Sequence, residues 1–142
     1  MRIALGSDAA TELTASLAAD LRKRGCAVSF HGALDLDESK AWPTVGRRIG
    51  EAVASGESDF GIVCCWTGTG VSIAANKVPG VRAALCSDAE TAAGARKWND
   101  ANVLALSLHT TSIRTAQAIL DAWFTSQPTD DPQDRAMIAE LE

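Results

Sequence analysis

The sequence predicts an α/β fold: a three-layer sandwich built on a doubly wound, mostly parallel five-stranded sheet. Two observations carry that expectation. Five short apolar runs of strand length recur at Arg2–Gly6, Ala27–His31, Phe60–Cys64, Ala83–Ser87 and Val103–Ser107. The intervals between them hold apolar residues at helical spacing, as the crossover connections of parallel strands require.

After the first strand, Leu13, Leu17 and Leu21 recur every four residues and the stripe stops at Gly25, a helix terminator, which completes a first βαβ unit. Further helices are expected over Pro43–Ser55, from Ser72 to about Lys77, over Ala89–Trp98 and over Ser112–Phe124, the second cut short by Pro79-Gly80. The polar stretch SQPTDDPQD then leads to a last short helix from about Arg135 to Leu141. No internal repeat or long linker divides the chain, so residues 1–142 read as a single domain. The C-terminal segment 125–142 is expected to pack on a neighbouring subunit.

Of the 142 residues, 46% are hydrophobic and 22% charged, enough apolar material for one core. The net charge of −5 and the lack of a Lys/Arg run argue against nucleic acid and anionic membranes as partners, leaving a small molecule or another protein chain. Met1 leads straight into a strand, with no apolar signal region and no stretch near 20 apolar residues, so a cytoplasmic protein is expected. Cys26, Cys64, Cys65 and Cys86 form no CxxC pair and only His31 and His109 could complete a cluster, which makes a metal site improbable. Cys26 and Cys86 read as small buried hydrophobes.

In open α/β sheets ligands bind beyond the carboxyl ends of the strands, which gathers Asp8, the loop after Cys64, and Ser87-Asp88 on one edge. The third strand runs into Cys65-Trp66-Thr67-Gly68-Thr69-Gly70 before a helix, so the loop's N–H groups can converge on an anion such as an enediolate or phosphate. Such a loop can also simply join a strand to a helix. A thiol at a helix N-terminus has its thiolate favoured, which makes Cys65 a candidate reactive group, an inert buried cysteine being the alternative. Cys64 should point to the other side of the strand, into the core. The dinucleotide pattern GxGxxG is absent after the first strand, where GSDAA stands, and no GxxxxGK[ST] occurs.

GSD after the first strand, CWTGTGVSIAANKVPGVRAAL in the middle and WNDANVLAL further on resemble the ribose-5-phosphate isomerase B and galactose-6-phosphate isomerase family over nearly the whole chain. The resemblance implies a Rossmann-like subunit that isomerises a sugar phosphate through a cis-enediolate, without cofactor or metal. It also implies a homodimer or tetramer whose sites are shared between subunits. By position, Cys65 looks like the proton-abstracting base, Thr67 a hydroxyl beside it, and Gly68, Thr69 and Gly70 the backbone cradle for the oxyanion, with Trp66 in the same loop. Asp8 and Asn99 look like the groups that hold substrate hydroxyls. Taken alone, Asp8 could equally cap the first helix and Asn99 could be a turn residue.

The chain departs from the family pattern at several polar positions. The histidine after the aspartate is Ala9, and the ring-opening histidine is Trp98. An arginine after the fifth strand appears as His109, and of two C-terminal arginines only Arg135 has a counterpart. Arg96 and Lys97 are further cations, expected to be solvated surface groups. An acyclic tetrulose 4-phosphate, which needs no ring opening, would suit these changes, with Trp98 packing on a shorter carbon chain. Alternatives are a ribose 5-phosphate/ribulose 5-phosphate type of reaction, the cysteine-bearing half of a heteromeric isomerase, or a sugar-phosphate-binding module. A phosphatase or transferase using Cys65 as nucleophile ranks last, because Trp66–Val71 contains no arginine to close a phosphate cradle. Trp42 reads as a packing residue unless it faces the same edge as Asp8.

Overall fold

The computed structural model describes residues 1–142. In chain order the elements are β1 (Arg2–Ser7), α1 (Glu12–Lys23), β2 (Ala27–Gly32), α2 (Trp42–Ala54), β3 (Phe60–Cys65), α3 (Thr69–Asn76), β4 (Ala83–Leu85), α4 (Ala89–Asn99), β5 (Val103–Ser107), α5 (Ile113–Thr125) and α6 (Pro132–Ala139). All strand pairs are parallel and the order is β2-β1-β3-β5-β4. This is the α/β sandwich the sequence predicts.

Strands buried on both faces need two cores, and two are present. One packs Ile3, Leu5, Ile62, Cys64, Leu104 and Leu106 against α1, α4 and α5 through Leu13, Leu17, Leu21, Ala92, Ile119, Leu120 and Trp123. The other packs Ala4, Val63, Cys65 and Ala105 against α2 and α3 through Val45, Ile49, Val71 and Ala75. The sequential residues Cys64 and Cys65 fall in opposite cores, as the two-residue period of a strand demands.

Several boundaries differ from the sequence expectation. The strand of β4 ends at Leu85 rather than Ser87, because this edge strand pairs with β5 alone and then leaves the sheet toward the helix cap at Asp88. The helix α3 starts at Thr69 rather than Ser72, since Gly68 takes the left-handed conformation (φ 77°) that turns the chain into the helix. The last helix starts at Pro132, three residues early, because Asp131 accepts hydrogen bonds from the N–H groups of Gln133 and Asp134.

The segment after α5 lies on its own subunit's α4: Thr129 N–H donates to the Lys97 carbonyl at 2.9 Å, and Arg82 joins the Asp100 carboxylate to that of Glu142. The helix α6 buries none of its residues, and Met137 and Leu141 stay exposed. Arg96, expected at the surface, is buried. Its Nη1 donates to the Ala101 carbonyl at 2.6 Å and to Asp100 at 3.0 Å, and its guanidinium lies over Phe60 and Trp123. No helix is long and apolar enough to cross a membrane.

Candidate active site

The helices following β1 and β3 lie on opposite faces of the sheet although the strands are neighbours, so the loops after them part and open a crevice at the carboxyl edge. Asp8 follows β1, its N–H donating to the Cys64 carbonyl at 3.3 Å, and Cys65 stands at the end of the neighbouring β3. The sequence placed Cys65 in the loop. It is instead the last residue of β3, because its pairing with Ser107 and the Leu108 N–H to Cys65 carbonyl bond (2.9 Å) extend the ladder. Its side chain is 5% exposed and faces α2 and α3, while Cys64 is fully buried on the other face. Burial, with Cys65 and Asp8 close by, pushes the Cys64 thiol up to about 12. At neutral pH Cys64 is a protonated filler, which leaves Cys65 as the thiol of this edge.

Five helices begin at this edge, and their caps divide them. Thr11, Asp88 and Ser112 cap α1, α4 and α5 with their own side chains. No side chain caps α2 or α3. The first-turn N–H groups of α3, from Thr69, Gly70 and Val71, are thus uncapped and stand four to six residues beyond Cys65 in the chain. A Cβ on Gly68 would meet the Leu106 backbone at 2.8 Å, so only glycine lets the loop lie this close to β5. Thr67 and Thr69 share a hydrogen bond between their hydroxyls at 2.7 Å, both exposed to the crevice edge.

Two further loops frame the crevice. The Ser107 hydroxyl and the His109 N–H donate to the Trp66 carbonyl at 2.8 and 3.0 Å, and the His109 ring stacks on the indole (centroids 4.5 Å apart, planes 23°). Across the sheet, Glu38 accepts from Gly32 N–H and bonds to His31 Nδ1, both at 2.9 Å, which folds the β2–α2 loop back on the edge and delivers Trp42. A methyl group on Gly70 would sit 2.8 Å from the Trp42 ring, so the indole lies directly on the first turn of α3. Trp42 is 46% exposed and faces the same edge as Asp8, so the packing role expected from sequence is not its only one. Asp8 does not cap α1, a role taken by Thr11. Partial burial raises its carboxyl above the ordinary carboxylate value.

The remaining predicted residues lie elsewhere in the subunit. Helix α4 runs back against the strands, and its last residue, Asn99, precedes Asn102, whose side chain pairs with Gly80 and Arg82 at the start of β4. Asn99 and Trp98 are therefore at the amino edge, one eleven-residue helix length of about 16 Å from the cap at Asp88, whereas Cys65 ends its strand at the carboxyl edge. The C-cap is Asp100, at φ 43°, rather than Asn99. Trp98 is 55% exposed, with the Lys97 ammonium 5.3 Å from its ring. Arg135 is exposed and lines a hollow of about 540 Å³ at the same edge with Asp100, Thr129 and Ile138. One subunit thus carries two half-sets of predicted residues, at opposite ends of the sheet.

Residues 3–140 match the family described as Ribose/Galactose Isomerase. The chain belongs to this family. Among isomerases similar to it are ribose-5-phosphate isomerase B of Escherichia coli (39% identical over 127 residues, 89% of this chain and 85% of that protein) and D-erythrulose-4-phosphate isomerase of Pectobacterium atrosepticum (35% over 128 residues, 89% and 84%). The ribose-5-phosphate isomerase B structure from Clostridium thermocellum superimposes with a TM-score of 0.90 at 38% identity, over 99% of this chain and 95% of that one. The protein is accordingly an isomerase.

Trp42 and His109 were both singled out in the sequence, but their contacts at this edge were not. Trp42 gave only a Trp-Pro helix start, and the signal that it contacts the cradle, an unobstructed Gly70, is a tertiary pairing. His109 stood 44 residues from Cys65, and only β3–β5 pairing brings it to the crevice.

Proposed function

We propose that the chain interconverts the aldose and ketose forms of a small sugar phosphate through a cis-enediolate, with Cys65 as the base and without a cofactor. The observation that carries this reading is a sheltered thiol at the switch-point crevice beside the uncapped N-terminus of α3. The Cys65 thiolate takes the proton from the carbon next to the carbonyl. The N–H groups of Thr69, Gly70 and Val71 then meet the oxygen that gains negative charge. Each such donor is worth about 3 kcal/mol where water is excluded. The proton returns from Cys65 to the neighbouring carbon. Asp8 holds a substrate hydroxyl, and the Thr67 hydroxyl stands beside the base.

Trp98, Asn99 and Arg135 serve the reaction from a second copy whose amino edge meets this carboxyl edge, Arg135 providing a cation for the phosphate. Three features support that arrangement: the placement of the half-sets at opposite edges of the sheet, the exposure of Met137 and Leu141, and the unburied α6. A phosphorylated tetrulose is the favoured substrate. With no histidine at position 98 nothing stands there to open a ring, and a tetrose phosphorylated on its terminal oxygen cannot close a furanose.

The test is proton NMR in deuterated water with phosphorylated tetroses, pentoses and hexoses, following ketose formation and exchange at the carbon beside the carbonyl. Turnover on one chain length that vanishes in Cys65→Ala, with the circular dichroism unchanged, is the expected result. Silence of the folded wild-type protein across the panel would overturn the reading, and turnover that survives Cys65→Ala would remove Cys65 as the base.

A further inference from the structure

We propose that His109 is the group that moves the hydroxyl proton between the two substrate oxygens, and that Trp66 is the residue that positions it. This rests on the isomerase reading above and assigns a step that reading leaves without a residue. Isomerisation needs two proton movements. One runs between adjacent carbons and belongs to Cys65. The other takes the proton from the hydroxyl of one carbon and delivers it to the oxygen of the next, which requires a group able to accept and donate near neutral pH. Imidazole is the side chain suited to that exchange.

The chain has two histidines, and the structure separates them. His31 is 4% exposed, and both of its ring nitrogens are engaged, Nδ1 with Glu38 and Nε2 with Ser29 at 3.0 Å. It is a structural latch. His109 is exposed, and its ring nitrogens make no hydrogen bond within the subunit. Its place is nevertheless fixed. Ser107, two residues earlier, pairs with Cys65, Leu108 N–H donates to the Cys65 carbonyl, and His109 N–H donates to the Trp66 carbonyl at 3.0 Å. The ring is then held at 4.5 Å on the indole of Trp66, the residue next to the base. A free imidazole, held by backbone and by stacking on the residue that follows Cys65, is available for proton traffic at the edge where the thiol stands.

The step balances without any further reactant. Starting from the aldose, Cys65 removes the proton from C2 and the carbonyl oxygen on C1 becomes the enediolate oxygen. The unprotonated ring nitrogen of His109 takes the proton of the C2 hydroxyl, and the same nitrogen gives it to the oxygen on C1. Electrons move from the O2–H bond to form the C2 carbonyl as Cys65 delivers its proton to C1. The imidazole and thiolate end as they began.

The measurement that separates the two proton movements is the ratio of carbon-bound deuterium exchange to net ketose formation in deuterated water, read on the same NMR samples. His109→Phe keeps an aromatic ring for stacking and removes both nitrogens. His109→Gln keeps a polar group that cannot exchange protons. Both variants are expected to lose 100-fold or more in net isomerisation while exchange at C2 survives, because enediolate formed by Cys65 can still be reprotonated where it started. Trp66→Ala is expected to raise the same ratio, and Trp66→Phe to restore it.

Equal losses of exchange and isomerisation in both His109 variants, or a rise in KM with kcat unchanged, would overturn the proposal, the second marking His109 as an anion holder. Full activity in His109→Phe would do the same, since the residue is exposed and the variant is expected to keep its melting temperature. Failure of the isomerase reading looks different: wild-type protein would show neither exchange nor turnover.

Discussion

Gly46→Ala should damage both stability and turnover, because Gly46 is where α2 touches α3. A Cβ there would lie 2.6 Å from the Ala74 Cβ and 2.8 Å from the Val71 carbonyl oxygen. Ordinary carbon contacts need about 3.5 Å, so the added methyl is short by roughly 0.5–1 Å. No rotamer relieves the clash, since one partner is backbone and the other a methyl group. The helices must separate. Overpacking of this kind costs about 1–3 kcal/mol, and alanine's better helix propensity returns about 1 kcal/mol, leaving a net loss of about 1–2 kcal/mol. For a chain of this size that lowers the melting temperature by about 3–7 °C.

Val71 is the third residue of α3, so the displaced turn is the one that carries the uncapped N–H groups proposed to meet the oxyanion. A shift approaching 1 Å there is expected to reduce kcat about 10- to 100-fold. Calorimetry and the NMR turnover assay on the same protein read the two effects. Gly94→Ala is the contrasting change: its Cβ would meet the Trp98 ring at 3.0 Å, but that indole is 55% exposed and can swing aside. It should leave stability equal or slightly raised by helix propensity. A Gly46→Ala protein that melts with wild type and turns over normally would refute the packing argument, and one that melts early but turns over normally would uncouple α3 from the chemistry.

Burial raises the Asp8 carboxyl, so the folded protein binds its proton more tightly than the unfolded chain does, and the charged form carries a stability cost above the folded value that is absent below the unfolded one. Asp8→Asn should therefore raise the melting temperature at pH 7, with the gain fading as pH falls through the carboxylate range, while turnover drops; a gain independent of pH would contradict the assignment. Arg96→Ala removes a guanidinium that lies over Phe60 and Trp123 and strips the Ala101 carbonyl of its donor, so urea unfolding should report a loss of about 2–4 kcal/mol. A loss below 1 kcal/mol would show that Arg96 is solvated after all.

The carboxyl edge was legible because its parts are close in sequence. Cys65 to Gly70 form one strand–turn–helix unit, and the alternation of a strand alone sends Cys64 and Cys65 to different cores. The strand and helix set was equally legible from the length of apolar runs and their period. Boundaries were less so. Where Gly68 turns left-handed decides that α3 begins at Thr69, and an edge strand's loss of partners decides where β4 stops.

Only the tertiary structure put His109 on Trp66, Trp42 on Gly70 and Arg96 over the Phe60–Trp123 pair, since each contact joins segments that the sheet order alone brings together. It likewise decided that Asn99, Trp98 and Arg135 stand at the far end from Cys65. An eleven-residue helix running antiparallel to its strands carries its C-terminus back across the sheet, a length that local sequence contains but a direction that only packing assigns. By itself the sequence determined the thiol, the glycine turn and the α/β class, because those depend on neighbours a few residues away. The partition of the candidate residues into two edges, and the imidazole stacked on Trp66, depend on residues dozens of positions apart meeting in space.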